Sequence, residues 1–194
     1  MRNAIKAIHE KSYYSVLESP VGRLTVVASD QGVRAIFWQD AAKPLERNLG
    51  FGSILKAPDH PLCALVSSQL DEYFRGARKT FEIPLIPEGT RFQIAAWNRL
   101  SEIPYGQTIS YEEQAIRLGG KEKVRAVGRA NGMNPIPILI PCHRVIGKNG
   151  SLTGFGGGLA IKSFLLNLES GQPREAIRTE SSAKPVIDWI DGRY

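Results

Sequence analysis

Ile138-Leu139-Ile140-Pro141-Cys142-His143-Arg144-Val145 is an apolar, proline-bounded run that ends in a thiol, an imidazole and a guanidinium side by side. Apolar residues leading into such a cluster place the thiol at the edge of a core, where a buried nucleophile can be held. A thiol is strongly nucleophilic as the thiolate, and neighbouring cationic or basic groups lower the pKa that controls its population. For an isolated Cys-His pair the plainer alternative is a buried structural cysteine beside a surface histidine. The segments on either side decide between the two.

On the C-terminal side, Gly147 to Gly158 is rich in glycine, which lets the main chain approach a planar ligand closely. A helix from about Leu159 to Glu169 follows, with Ile161, Phe164, Leu165 and Leu168 on its inner side. On the N-terminal side lie three short helices. Thr90 caps the first, whose apolar side includes Phe92, Ile94, Ala95, Trp97 and Leu100, with Pro104-Tyr105-Gly106 as the turn after it. Ser110 caps the second, with Glu113 at the capping-box position, and it runs to about Leu118. Gly119-Gly120 breaks the chain, and the third helix covers Lys121 to about Asn131, with Val124, Ala126, Val127 and Ala130 forming a small-residue surface. Helix, glycine turn, helix is the layout of a helix-turn-helix.

Farther upstream the pattern changes from helical to alternating. Tyr13 to Leu17, Leu24 to Ala28 and Val33 to Trp38 are separated by Ser19-Pro20-Val21-Gly22 and Asp30-Gln31-Gly32, which predicts a three-stranded antiparallel meander. From Pro61, Leu62, Leu65, Val66, Leu70 and Tyr73 or Phe74 recur at helical spacing to near Gly76. Arg78 to Thr90, with Pro84, Pro87 and Gly89, reads as an extended connection. The expectation is an α+β protein: a sheet with a helix over residues 1–88, a helical part with the helix-turn-helix over 89–170, and a tail over 171–194 that is either disordered or docked through Trp189.

Composition narrows the function classes. The 194 residues are 42% hydrophobic and 23% charged, ordinary for a soluble globular chain, and no apolar run approaches the length that crosses a bilayer. Residues 1–11 lack the apolar stretch of a signal peptide, so an intracellular address, cytoplasm with nucleoid or nucleus, is expected, with no membrane partner. Cys63 and Cys142 are the only cysteines; with three histidines they are too few for a structural zinc site, and neither metal nor cofactor is expected. Residues 89–170 hold +5 of the net charge of +6. A basic surplus confined to one segment suits a polyanion partner.

The stretch from Asn134 through Cys142-His143-Arg144-Val145 and Gly154-Phe155-Gly156-Gly157-Gly158-Leu159 to Leu165-Leu166-Asn167-Leu168-Glu169 closely resembles the active-site region of the O6-alkylguanine-DNA alkyltransferases. The resemblance is strong over roughly residues 90 to 170. It implies a ribonuclease H-like sheet part, and double-stranded DNA containing O6-alkylguanine as the partner of a monomer. It further implies irreversible, single-turnover transfer of the alkyl group, from O6-alkylguanine and less readily O4-alkylthymine, to Cys142. In this resemblance His143 acts on the thiol through water and Glu169, 27 residues after Cys142, orients His143. Tyr111 matches the phenol that serves guanine N3, and Val145, Phe155, Gly156 and Pro137 surround the base. Arg125 matches an arginine that fills the space of a flipped-out nucleotide; Ala126 and Gly128 suit a recognition helix in the minor groove, and Arg129 and Lys123 face phosphate. Asn134 is a structural hinge joining the recognition helix to the nucleophile turn. Phe155 and Gly156 depart from the commonest animal pattern, Tyr and Ser, which bears on substrate range.

Two rivals remain on the sequence. A non-catalytic alkyl-base binder lacks the nucleophile that Cys142 supplies, and a helix-turn-helix regulator leaves Cys142, His143, Glu169 and the glycine loop without a task. The run Gly156-Gly157-Gly158 opposite Pro137 predicts an open wall beside the alkyl group, with room for a bulky adduct.

Overall fold

The computed structural model describes residues 11–38 and 54–172. The expected tail therefore lies outside the described residues from Pro173 onward, as does the segment before Lys11. The meander forms as expected, with β1 (Ser12–Leu17), β2 (Leu24–Ala28) and β3 (Val33–Trp38) paired antiparallel. A short strand that the pattern did not suggest, β4 (Ile54–Lys56), adds parallel to β1, so the sheet is mixed, in the order β3-β2-β1-β4.

Helix α1 (Pro61–Phe74) lies on this sheet. Its buried stripe is Cys63, Val66, Gln69, Leu70, Tyr73 and Phe74, while Leu65, expected inside, is 38% exposed. The difference is one of phase: 63, 66, 70 and 73 follow i, i+3, i+7, i+10, and Leu65 falls off that line. Gln69 is buried because its Oε1 accepts the Glu82 amide at 2.9 Å, tying the extended connection to α1. The connection also closes the edge of β3, where Val33 N donates to Pro84 O and Ile86 N donates to Val33 O, both at 2.9 Å.

The helical half begins with α2 (Arg91–Ser101), capped by Thr90, and α3 (Tyr111–Arg117), capped by Ser110; both caps are full capping boxes, with Gln93 and Glu113 reaching back. In α2 the inner residues are Ala96, Trp97 and Leu100; Ala95, expected among them, is exposed. The third expected helix divides into a 3-10 turn over Lys121–Lys123 and α4 (Val124–Gly132). Gly119, at φ 100°, makes the break before it, a backbone region costly for any residue with a Cβ. Four hydrogen bonds lock α2, α3 and α4 together, one of them from Gln114 Nε2 of α3 to Ala96 O of α2 at 3.2 Å. Gln114 and Asn131 exchange a reciprocal amide pair at 3.2 and 2.7 Å, and Trp97 Nε1 donates to Ala130 O at 2.8 Å. All are buried, where an unmade bond costs about 1–3 kcal/mol, so the orientation of α4 is strongly determined.

The chain finishes with a 3-10 turn over Cys142–Arg144, β6 (Val145–Ile146) paired parallel to β5 (Ile109–Ser110), and α5 (Leu159–Ser170). One continuous core joins the two halves, running from Val21, Leu24 and Val26 of the sheet through Tyr73 and Trp97 to Ile138, Val145 and Leu168. Ile36 N of β3 donates to Pro135 O at 2.8 Å, so the sheet directly supports the segment that carries the thiol.

Candidate active site

The approach to Cys142 is held in an unusual backbone. Ile138, 1% exposed, sits at φ 75°, a conformation that a β-branched residue adopts only at a cost of about 1–3 kcal/mol. The surrounding bonds over-determine it: Ile140 N donates to Ile136 O, and Cys142 N to Ile140 O, each at 2.9 Å. Asn134 holds the same turn from outside, with Oδ1 accepting the Ile136 amide at 3.1 Å and Nδ2 donating to Ile140 O at 2.7 Å. Nδ2 also lies 3.2 Å from Cys142 Sγ, so Asn134 touches the thiol as well.

Cys142 is buried, and burial is the dominant influence on its thiol, pushing the pKa up to about 11 against the opposing effects of Asn134 and Lys162. The lowering expected from neighbouring groups is present but is outweighed by this desolvation. At pH 7 Cys142 therefore stands as the thiol rather than the thiolate.

His143 and Glu169 meet as expected. His143 Nε2 donates to Glu169 Oε1 at 2.9 Å, with both side chains fully buried. Burial lowers the imidazole pKa against the pull of Glu169, which keeps the ring neutral at pH 7 and leaves Nδ1 as the acceptor. Nδ1 is buried and makes no hydrogen bond to any of the described residues. The ring is thus held by one nitrogen and available at the other. Glu169 does more than orient His143. Oε2 accepts Arg144 Nε at 2.8 Å and the Gly106 amide at 3.1 Å; Oε1 also accepts Arg144 Nη2 at 2.9 Å and the Tyr73 hydroxyl at 2.8 Å. Burial pushes this carboxyl up, but the bonds from His143 and Arg144 outweigh it and hold it at about 2. Gly106 can approach because its φ of 75° and missing Cβ suit the turn; a Cβ there would stand 3.0 Å from Glu169 O.

Lys162 is a site residue that the sequence reading passed over. It is fully buried on α5, and its ammonium donates to Val145 O at 2.6 Å and Thr153 O at 2.7 Å, pinning the glycine loop to β6. Desolvation lowers its pKa to about 8, opposed by its interaction with Cys142. A visible signal existed: Lys162, Leu165 and Glu169 fall at i, i+3, i+7, so a lysine shares the inward stripe of an amphipathic helix.

Tyr111, at the start of α3, donates to Thr153 O at 3.1 Å or Gly154 O at 3.2 Å, which docks its phenol on the loop. Phe155 of that loop stands edge-on to His143, ring centroids 6.5 Å apart, and edge-on to Trp38 of β3 at 5.5 Å. Val145 and Pro137 are buried beside the thiol turn. The open-wall expectation holds only in part. A Cβ on Gly156 meets nothing within 4 Å among the described residues, but one on Gly157 would lie 3.0 Å from the Phe155 ring and 3.2 Å from the Trp38 indole. Gly157 is closed by aromatic side chains that pattern alone did not bring there.

On α4, Arg125, Ala126 and Arg129 are exposed and Gly128 is half-buried, together forming one outward face. Lys123 is placed differently from the expectation: its ammonium donates to Leu118 O at 2.7 Å, satisfying a carbonyl at the end of α3. That bond ties down the helix-turn-helix, so a phosphate contact by Lys123 has to compete with it.

Two family models match this chain, one described as the DNA binding domain of 6-O-methylguanine DNA methyltransferase over residues 91–171, the other as its ribonuclease-like domain over 12–87. The chain belongs to this family. A methylated-DNA--protein-cysteine methyltransferase of Methanosarcina acetivorans is 43% identical over 162 residues, covering 81% of this chain and 97% of that protein. The constitutive methylated-DNA--protein-cysteine methyltransferase of Bacillus subtilis is 41% identical, covering 81% and 95%. Among solved structures, Mycobacterium tuberculosis OGT in complex with DNA superposes with a TM-score of 0.73 at 37% identity, covering 84% of this chain and 95% of that one. Membership accounts for the α+β architecture, a sheet part followed by a helical part. No helix among the described residues is long and apolar enough to cross a membrane.

Proposed function

We propose that this protein repairs DNA by direct reversal, moving the alkyl group of O6-alkylguanine, and less readily of O4-alkylthymine, onto Cys142 Sγ. The observation that carries this reading is the buried Cys142 followed by a neutral imidazole whose Nε2 is fixed on Glu169 and whose Nδ1 has no partner among the described residues. The thiol proton passes to Nδ1 through a bridging water. Sulfur then attacks the alkyl carbon, the bond from that carbon to O6 breaks, and the electron pair leaves on guanine. Tyr111 serves N3 as the base departs, since a developing anion is stabilised by a positioned donor. The imidazolium formed strengthens its bond to Glu169, and Lys162 supports the negative charge at sulfur.

The product is a thioether, which water does not readily hydrolyse, so each molecule acts once. A base inside a duplex reaches a buried thiol only when flipped out. In this reading the outward face of α4 lies in the minor groove, Arg125 fills the vacated space, and Arg129 faces phosphate. Residues 1–88 act as the supporting part and 89–170 as the DNA-binding and acceptor part of a monomer inside the cell, and Phe155, Gly156, Val145 and Pro137 surround the base.

The test is stoichiometry. Duplex DNA carrying O6-methylguanine with a labelled methyl, given in excess, should load one label per protein and then stop. Continued turnover, or release of labelled methanol, contradicts the reading.

A further inference from the structure

Glu169 takes one of its hydrogen bonds from the sheet half of the molecule, which carries none of the reacting groups. Tyr73 lies on α1, fully buried, and its hydroxyl donates to Glu169 Oε1 at 2.8 Å. The same oxygen accepts His143 Nε2 and Arg144 Nη2, each at 2.9 Å. Donors that share one carboxylate oxygen divide its charge, so the phenol weakens the hold of that oxygen on the imidazole.

We infer that Tyr73 is a positioning residue that acts through Glu169 to fix His143 and to set how readily its imidazole takes the proton of the Cys142 thiol. The inference rests on the alkyl-acceptor reading above. When the thiol proton moves to Nδ1, the ring becomes a cation and its Nε2–H bond to Glu169 becomes charge-assisted on both sides. Tyr73 competes for the oxygen at that moment. The charged groups acting on His143 are Glu169 and Lys162 of α5 and Arg144, its neighbour in the thiol turn; Cys142 precedes it in the chain. Tyr73 stands behind Glu169 from α1.

The hydroxyl can be separated from the ring. The Tyr73 ring packs against Phe74 and Phe81, each with centroids 5.4 Å away, and against Tyr105 at 6.1 Å. Tyr73→Phe keeps those contacts and removes only the donor.

Two forms of the full chain test the idea: Tyr73→Phe, and 3-fluorotyrosine incorporated at position 73, whose hydroxyl is a stronger donor. Two readouts are followed, the pH dependence of single-turnover methyl transfer and the NMR titration of the His143 ring, one of only three histidines in the sequence. With the donor removed, the carboxylate holds the imidazolium more strongly, so the His143 midpoint and the acid limb of the rate profile should rise by roughly half to one pH unit. With the stronger donor both should fall. Opposite shifts support the inference; no shift, shifts of the same sign, or an equal slowing at every pH overturns it. If Tyr73→Phe shows no cooperative thermal unfolding, the direction of the fluorotyrosine shift decides alone. A wild-type protein that transfers no alkyl group would end the alkyl-acceptor reading, while the His143 titration would still report on the link to Tyr73.

Discussion

Glu169→Gln keeps the shape of the side chain and removes its charge, leaving Arg144 buried with no anion. Arg144 is 7% exposed, and its guanidinium is committed to Glu169 and, through Nη1, to Ile103 O at 2.6 Å. Removing one partner of a buried pair costs about 3–5 kcal/mol. A second route gives a similar size: lowering the carboxyl from 4.5 to about 2 corresponds to roughly 3 kcal/mol at about 1.4 kcal/mol per tenfold. For a chain of this size 1 kcal/mol moves the unfolding midpoint by about 2–4 °C, so at about 3 kcal/mol, the value both routes share, Glu169→Gln should melt roughly 6–12 °C below wild type. The sign with pH is fixed as well. A depressed carboxyl pKa contributes stability that is fully present above 4.5 and is lost as pH falls through about 2. The two proteins should therefore differ by a constant amount at pH 5 and above and converge toward pH 2. Urea unfolding at pH 7, 5, 4 and 3 measures it. A deficit below about 1 kcal/mol at pH 7, or one that does not shrink in acid, refutes the reasoning. Adding Arg144→Met to Glu169→Gln should restore part of the stability without restoring transfer, because the pair then leaves no buried charge unmatched.

Lys162→Gln should slow methyl transfer at pH 7 by roughly tenfold or more and flatten the part of the pH–rate profile near pH 8, where the buried ammonium discharges; single-turnover rates from pH 6 to 9 check this. Arg125→Ala should slow repair of duplex DNA far more than reaction with O6-benzylguanine as the free base, since only the duplex requires flipping, and equal losses would remove the intercalating role. Gly157→Trp should slow reaction with both O6-methylguanine in DNA and O6-benzylguanine, because its side chain displaces Phe155 and Trp38; selective loss of the benzyl reaction would instead restore the open wall.

Much of this arrangement was legible in the chain because local chemistry set it. Ser110 with Glu113 starts α3, and Gly119 breaks the helix-turn-helix, each through bonds within a few residues. The β-rich runs between turn residues marked β1 to β3. Strand β4 was not marked, since three residues, two of them exposed, carry no alternation to read. The site shows the same division. Cys142 and His143 are adjacent, and Glu169 followed from the family resemblance. Tyr73 read simply as core, because nothing nearby in sequence says that a phenol on α1 reaches a carboxylate on α5. Arg144 was placed in the nucleophile segment, but its two bonds to Glu169 come from packing between distant segments. The state of the thiol follows the same division: charges beside Cys142 are visible in sequence, whereas the desolvation that outweighs them belongs to the folded core.

The most direct measurement is the mass of the peptide carrying Cys142 after the protein has met duplex DNA containing O6-methylguanine. The account predicts that this peptide alone gains one methyl group, on sulfur, with the Cys63 peptide unchanged, and that Cys142→Ser binds the same DNA and gains nothing. A methyl group found on any other residue, or repaired DNA with an unmodified Cys142, contradicts it.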